Sequence, residues 1–187
     1  MVSLPLPARR HRWLTPLLLM VTVLLSGCLA PPQGITPVTP FVLERYLGTW
    51  HELARLDHRF ERGLTRVSAQ YVLRDDGAVT VINRGYRAAE GTWDEARGVA
   101  RFQGERDMGS LKVSFFGPFY GGYHIARLDP DYQWSLVIGP SRDYFWILSR
   151  QPVIPEAAYQ QLVAQAAELG IDTRQLIRIM PKAAEAP

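Results

Sequence analysis

The chain has 187 residues, 47% of them hydrophobic, which suits one domain with a sizeable core. Its formal net charge of +3 is accounted for by three arginines near the start, at positions 9, 10 and 12. The remaining residues are formally neutral and offer only mixed charge. They lack the clustered basic face that nucleic-acid binding requires, so no nucleic-acid partner is expected.

Residues 1–27 are predicted to be a signal peptide. The three arginines precede an apolar stretch from Leu14 to Leu25. That stretch is too short to span a bilayer, which takes roughly 20 helical residues. It ends in Leu25-Ser26-Gly27-Cys28, which resembles the processing box of bacterial lipoproteins. Cys28 is the only cysteine and cannot form an internal disulfide. A lone cysteine can be a small core residue, but this position favours lipidation of the thiol.

The next segment, residues 28–40, is predicted to be a lipidated tether. Its prolines stand among small and polar residues, a composition typical of an extended linker. Leu29 follows the cysteine, where bacterial lipoproteins retained at the inner membrane usually have aspartate. The resemblance therefore implies an anchor in the outer membrane, on its periplasmic face. The folded domain is predicted at 41–181, with a loose tail at 182–187.

From Trp50 to Arg150, short alternating runs are broken by turn residues, which indicates an antiparallel sandwich or barrel. The clearest hairpin joins Val67–Leu73 to Ala78–Tyr86 through Asp75-Asp76-Gly77, because Asp-Gly supplies the positive φ angles of tight turns. Together with a strand around Trp50, the predicted strands number eight, at which a closed barrel holds one small ligand. The other predicted strands are Gly98–Phe102, Leu111–Phe116, Tyr123–Asp129, Trp134–Ile138 and Tyr144–Arg150.

A helical period follows, between Pro155 at the first turn and Gly170 at the end. It carries one apolar stripe, which is expected to pack on the outside of the barrel; the stripe consists of Tyr159, Leu162, Val163 and Ala166. Residues 176–180 are predicted to form one more short strand.

Three ordered segments resemble the lipocalin signature. They are residues 46–54 around Gly48-Thr49-Trp50, residues 128–132 (Leu-Asp-Pro-Asp-Tyr) and residues 146–150 ending at Arg150. The flanking segments 57–63 and 115–123, with the lipoprotein box, are similar to the bacterial outer-membrane branch, which is apolipoprotein D-like. His51 is a departure, since the family usually has tyrosine there. The resemblance implies an all-β fold: an eight-stranded antiparallel up-and-down lipocalin barrel with one C-terminal α-helix packed outside.

In that family the tryptophan plugs one end of the barrel and the arginine lies across its ring. Trp50 offers a large apolar surface to close the barrel, and Arg150 can stack its planar cation on the ring while donating to backbone carbonyls. Both are therefore expected to form a structural clamp rather than to bind ligand.

Side-chain alternation and the resemblance together predict the barrel lining. If Trp50 points inward, Glu52 and Ala54 should also do so. An apolar cavity with a few polar groups suits an amphiphile with an acyl chain. Glu52 is ambiguous, since an inward carboxylate must be hydrogen-bonded or neutralised and can be structural. The candidate ligand-binding residues are Glu52, Tyr71, Asn83, Val113, Phe115, Tyr123 and Trp146.

Catalytic and metal-binding patterns are missing from the sequence. It has no Gly-x-Ser-x-Gly elbow, and His51-Glu52 is followed by Arg55 where a zinc-protease helix needs a second histidine. The remaining histidines have no Cys or His at ligand spacing. The glycine-rich run 117–122 has no Gly-Lys-Ser/Thr. No metal, no cofactor and no enzymatic activity are therefore expected.

These patterns together predict an outer-membrane lipoprotein that binds fatty acids or lysophospholipids for lipid storage, transport or membrane maintenance. Two alternatives stay open, because some lipocalins have gained enzymatic activity on small hydrophobic substrates and others could be structural with filled interiors. A cavity above about 300 Å³ would favour binding. A homodimer also stays open.

Overall fold

A computed structural model describes residues 29–179 of the chain. The predicted signal peptide, the predicted lipidation site Cys28 and the predicted tail at 182–187 lie outside the described residues. No helix within residues 29–179 combines the length and apolarity needed to cross a membrane.

The described chain consists of nine strands, two α-helices and a 3-10 helix at Thr173–Gln175. Helix α1 (Leu43–Tyr46) precedes the barrel and helix α2 (Glu156–Glu168) follows it. The strands are β1 (Gly48–Arg55), β2 (Leu64–Leu73), β3 (Val79–Arg87), β4 (Thr92–Phe102), β5 (Ser110–Phe116), β6 (Phe119–Leu128), β7 (Trp134–Ile138), β8 (Phe145–Ser149) and β9 (Ile177–Arg178).

Strands β1 to β8 close into an antiparallel barrel in which each pairs with the next along the chain. Strand β1 closes it by pairing with both β2 and β8: Gly48–His51 face β2, and His51–Arg55 face β8. Short β9 adds to β1 through Ala54 and Arg55. The predicted eight-stranded up-and-down barrel with one C-terminal helix is confirmed.

The two ends of the barrel differ. At the closed end, α1 leads into β1 and the side chain of Trp50 is completely buried. The opposite end, here called the mouth, carries the loops that follow β1, β3, β5 and β7. The hairpin between β2 and β3 turns at the closed end, where Gly77 has the positive φ of 75° that its Asp-Gly sequence predicts.

Two apolar cores lie on the two sides of the barrel wall. The inner core surrounds Trp50 and includes Tyr71, Val81 and Leu148. The outer core lies under α2. Three of the four residues of the predicted apolar stripe, Tyr159, Leu162 and Ala166, are buried in it, and Val163 packs against it. The stripe thus holds the helix on the outside of the barrel, as its period predicts.

The predicted inward position of Ala54 is wrong. The register between β1 and β8 shifts between Glu52 and Ala54, which is a β-bulge. A bulge adds one residue to one strand and so reverses the alternation beyond it. Leu53 and Ala54 both join the outer core, while Arg55 is buried beside Glu52.

The described part of the predicted tether, residues 29–40, packs against the barrel. The Val38 N–H donates to the Ile125 carbonyl at 2.9 Å, and the Val38 carbonyl accepts from the Gly109 N–H at 2.9 Å. Ile35 is buried in the outer core. The Ile35 N–H donates to the Pro32 carbonyl across a turn at Gly34, and apolar side chains and hydrogen bonds fasten the segment to the barrel.

Candidate functional site

Three tyrosine hydroxyls meet inside the barrel near the closed end. The Tyr123 hydroxyl lies 2.8 Å from that of Tyr71 and 2.8 Å from that of Tyr46. Tyr46 also approaches the Ser135 hydroxyl at 3.1 Å. Each hydroxyl both donates and accepts, so this cluster forms a polar floor beneath the barrel interior.

Burial holds these tyrosines in the neutral form. It raises the pKa of Tyr46 to about 12, although hydrogen bonds from Ser135 and Tyr123 oppose the rise. The pKa values of Tyr71 and Tyr123 are also raised, first by burial and then by the neighbouring tyrosines. The hydroxyls therefore remain protonated at neutral pH, and each has one O–H to donate, either to a neighbouring hydroxyl or to a ligand.

The wall above the floor contains both large side chains and a gap. Val113 and Phe115, on β5, are partly buried against the inner core. Gly98 on β4 makes room for Phe115, because a Cβ there would lie 2.9 Å from the ring. Gly121 on β6 pairs with Val113, and alternation turns it inward like Tyr123. No described atom lies within 4 Å of the Cβ position of Gly121, so this part of the interior is open.

Asn83 contributes an amide to the interior from β3, where it pairs with Ala69. Its Oδ1 is buried and has no hydrogen-bond partner among residues 29–179. Burying an amide oxygen without a hydrogen bond costs about 1–3 kcal/mol. This atom is therefore an acceptor that a donor on a bound molecule could satisfy.

A cluster of charged side chains lies on the mouth side of the interior. Arg55 Nη1 donates to Glu52 Oε1 at 2.6 Å, and its Nη2 donates to the carbonyls of Glu61 and Leu64. Arg55 thereby ties strand β1 to the loop that leads into β2. The Glu61 carboxylate accepts from Trp146 Nε1 at 3.0 Å and lies 3.2 Å from His58 Nε2.

Aromatic rings surround this cluster. The imidazole of His58 lies 5.0 Å from the Trp146 ring and 5.8 Å from that of Tyr144, measured between centroids. Phe60 extends the group outward and is 58% exposed.

The two carboxyl groups of the cluster differ in acidity. Burial and the negative charge of Glu61 raise the pKa of Glu52 well above its usual range, and Arg55 only partly opposes them. Burial would also raise the pKa of Glu61, but the hydrogen bond from Trp146, the nearby His58 imidazole and the charge of Arg55 bring it below its usual range. The surroundings thus oppose ionisation of Glu52 and favour ionisation of Glu61.

The structure brings the predicted lining residues to one interior. Tyr71 and Tyr123 belong to the floor, Val113 and Phe115 to the wall, and Trp146 to the mouth side. Asn83 is half-buried with its Oδ1 enclosed. Glu52 is bound to Arg55, which gives it a structural contact. Whether these residues bind a ligand stays a prediction.

Sequence reasoning missed Tyr46, Arg55, His58 and Glu61. Tyr46 lies before the first strand, so strand alternation could not assign it to the interior. Arg55, His58 and Glu61 recur every third residue, and this run of charges after an apolar strand was the one available signal. Arg55 could not be assigned inward because the bulge at Ala54 is invisible in the sequence.

Outside the barrel interior, the structure gives weaker evidence for a functional site. A polar groove of about 410 Å³ lies outside the barrel and is lined in part by Arg127 and Arg142. Arg142 is already engaged there, since it donates to the carbonyls of Leu169 and Gln33 and so fastens the N-terminal segment to the end of α2. Within residues 29–179, no group of three or more His, Cys, Asp or Glu side chains has the geometry of a metal site.

Comparison with known proteins places this barrel in a family. The family model described as a lipocalin-like domain matches residues 41–181, which are most of the chain. The chain belongs to the lipocalin family. The match coincides with the domain predicted from the sequence, and the resemblance to lipocalins is confirmed.

Relatives of this lipocalin include bacterial lipoproteins. It is 53% identical to the outer membrane lipoprotein Blc of Escherichia coli over 147 residues, which are 79% of this chain and 83% of that protein. It is 26% identical to mouse apolipoprotein D, over 81% of each chain. The structure of insecticyanin from Manduca sexta superposes with a TM-score of 0.64 at 21% identity, covering 80% of this chain and 86% of that one. This last likeness shows the fold alone.

Proposed function

We propose that this lipocalin is a lipoprotein of the outer membrane, anchored through Cys28 on the periplasmic face, which binds fatty acids or lysophospholipids inside its barrel. The lipoprotein box at Leu25–Cys28 and the name of the Escherichia coli relative support the anchor and the location. Lipid storage, transport or membrane maintenance would follow from such binding.

The open space in front of Gly121 carries the proposal. It lies between an aromatic and aliphatic wall and a floor of tyrosine hydroxyls, and the unsatisfied Asn83 Oδ1 belongs to the same barrel interior. A long apolar chain needs such a wall, and a polar head group needs hydrogen-bonding partners at one end. The same space argues against an interior completely filled by side chains.

The energetics suit exchange with a membrane. Each CH₂ moved from water into the barrel contributes about 0.8 kcal/mol, so a 16-carbon chain has a gross drive of about 12 kcal/mol. A lipid that leaves a bilayer loses a similar contribution there. The net difference is small, and the protein can both take up and release lipid.

A binding function is favoured over an enzymatic one. The carboxyl pair Glu52 and Glu61 is the nearest approach to a catalytic group in the interior. Glu52 is occupied by Arg55, and Glu61 by Trp146 and His58. The Escherichia coli relative is named a lipoprotein, and its name gives no reaction.

Mass spectrometry of lipids that co-purify with the protein from its own membranes tests this proposal. A variant with Gly121→Phe, which fills the open space, is the matched control for lipids that adhere elsewhere. We expect fatty acids or lysophospholipids near one per protein in the native chain and a clear loss in the variant. Equal lipid content in both proteins would place the lipid outside the barrel and overturn the proposal.

A further inference from the structure

We propose that the mouth of the barrel docks on the membrane that holds the Cys28 anchor, with the hairpin Phe116–Phe119 inserted among the lipid head groups. This hairpin, here called the rim hairpin, joins β5 to β6. The inference rests on the proposed function for the anchor and adds an interaction surface and an orientation to it.

The rim hairpin exposes two phenylalanine rings that the fold does not use. Phe116 is 74% exposed and Phe119 is 77% exposed, and the two are register partners across the hairpin. Gly117 and Pro118 form the tip between them. Single exposed apolar residues are common, but two nearly bare rings side by side are typical of a surface that contacts a partner.

Other aromatic side chains are exposed at the same end of the barrel. Phe60 is 58% exposed in the loop between β1 and β2, and Trp93 is 52% exposed at the start of β4. The loops around both residues belong to the mouth, as the rim hairpin does. An apolar mouth edge matches a partner that supplies apolar ligands to the interior.

Leu29, the first described residue, follows the proposed lipidation site Cys28 directly and lies on the barrel wall. The Leu29 carbonyl accepts from Gln103 Nε2 at 2.8 Å and lies 2.8 Å from the Cβ position of Gly122 on the outer face of β6. Cys28 is one peptide unit away, about 3.8 Å between Cα atoms. Gly122 is three residues from Phe119 along β6, roughly 10 Å. The anchor and the rim hairpin thus share one side of the barrel.

The packed N-terminal segment removes the freedom of a long tether. A free chain from residue 29 to residue 40 could extend to about 40 Å and would allow the barrel any orientation. Hydrogen bonds at Val38 and the burial of Ile35 hold this segment along the wall instead. An acyl anchor at Cys28 therefore keeps the wall of β5 and β6 within reach of the bilayer surface.

Charge near the rings suits a phospholipid surface. Lys112 Nζ lies 5.2 Å from the Tyr120 ring, and the Arg59 guanidinium lies 5.2 Å from the Phe60 ring. Tyr120 is half-buried and Phe60 is exposed, and a cation beside an aromatic ring at the mouth matches the phosphate layer of a membrane. With the mouth against the bilayer, a lipid chain would pass between membrane and barrel without crossing open water.

A depth measurement tests the orientation. Cys28 is the only cysteine, so after its lipidation a new cysteine is a unique thiol for a spin label. Gly117→Cys places the label at the rim tip, where no described atom lies within 4 Å of the Cβ position. Val153→Cys is the matched control, because Val153 is 64% exposed and follows β8 at the closed end. Both lipidated proteins are reconstituted in vesicles of phosphatidylethanolamine and phosphatidylglycerol.

We expect the label at position 117 to show the oxygen accessibility of the head-group region or deeper, and the label at 153 to remain as accessible to aqueous nickel as in free protein. Adding Phe116→Ser and Phe119→Ser should return the 117 label to water, whereas Val42→Ser, at the closed end, should not change it. A fully aqueous 117 label in protein that floats with the vesicles would overturn the docking and leave the anchor intact.

Two further results separate the proposals. Spin–spin broadening at position 117 would mean that the rim meets a second copy of the chain, which also overturns membrane docking. Failure of the native chain to float with vesicles would contradict the anchor and therefore the proposed function itself.

Discussion

The guanidinium carbon of Arg150 lies 4.0 Å from the centroid of the Trp50 ring and fastens the closed end of the barrel. Its Nη1 donates to the Thr49 carbonyl at 2.9 Å and its Nη2 to the Arg45 carbonyl at 2.7 Å. Trp50 Nε1 donates to the Tyr46 carbonyl at 2.8 Å. One arginine thus joins the end of the last barrel strand to α1 and to the first strand.

Truncation of either member of this pair should destabilise the fold. Trp50→Ala removes a fully buried ring and should lower the free energy of unfolding by about 3–5 kcal/mol. Arg150→Ala should lower the free energy of unfolding by a smaller amount. The double variant should lose less stability than the sum of the two single losses, because each side chain needs the other for the stacking contact. Urea denaturation of all four proteins measures the coupling, and strictly additive losses would contradict the stacking.

Glu52 should make stability depend on pH. The pKa of Glu52 in the folded protein is raised above the usual 4.5. Its contribution to stability is therefore fully present below that value and is lost as the pH rises through the pKa of the folded state. Glu52→Gln cannot ionise and should gain stability relative to the native chain between about pH 5 and about pH 8. Urea denaturation at both pH values measures this gain.

Asp57→Asn is the control for that measurement. Asp57 is exposed, and a hydrogen bond from Arg62 lowers its pKa. Its contribution is therefore present above its unfolded pKa and lost only as the pH falls through the lower folded value, so it should be constant between pH 5 and pH 8. A Glu52→Gln effect that is the same at both pH values would show that Glu52 does not hold a proton.

Trp146 and Asn83 should contact different parts of a bound lipid, so their substitution should change different binding preferences. Trp146→Ala removes part of the apolar wall and should weaken the binding of long-chain lysophospholipids more than that of short ones. Asn83→Leu removes the buried acceptor and should reduce discrimination between head groups while leaving the chain-length preference intact. Titrations with fatty acids and lysophospholipids of graded length measure both. Unchanged affinities in these variants, with a change in the exposed helix variant Ala164→Ser, would place the ligand outside the barrel.

Cys28→Ala should release the protein from membranes without unfolding it. No described helix could replace the anchor, and the segment from Leu29 to Pro40 keeps its own contacts with the barrel. Fractionation should find the variant in the soluble periplasmic fraction, with circular dichroism like that of the native domain. A variant that stays with the outer membrane would require a second attachment.

The barrel was predictable because its strands alternate and its turns are marked. The Asp75-Asp76-Gly77 turn and the order of the signature segments indicate the topology, and the stripe from Tyr159 to Ala166 places α2. The first half of β4, from Thr92 to Arg97, was missed because most of its side chains are exposed and show no apolar alternation. The same lack of a pattern hid α1, which is a single turn.

The candidate site was only partly predictable. Alternation assigns Tyr71, Tyr123 and Trp146 to the interior because their strands are regular there. It fails at Ala54, where the bulge shifts the register. Whether a polar residue such as Glu52 is paired depends on Arg55, which only the three-dimensional path of the chain brings to the same side. The packing of residues 29–40 is likewise a tertiary effect.

A titration of a long-chain lysophospholipid against Gly121→Phe and Gly117→Phe tests most directly whether the barrel interior binds lipid. Both glycines have no described atom within 4 Å of the Cβ position, but Gly121 turns inward and Gly117 lies at the rim tip. With Cys28→Ala as the common background and no vesicles present, we expect Gly121→Phe to abolish saturable binding and Gly117→Phe to bind like the background chain. Undiminished affinity in Gly121→Phe would contradict an interior site.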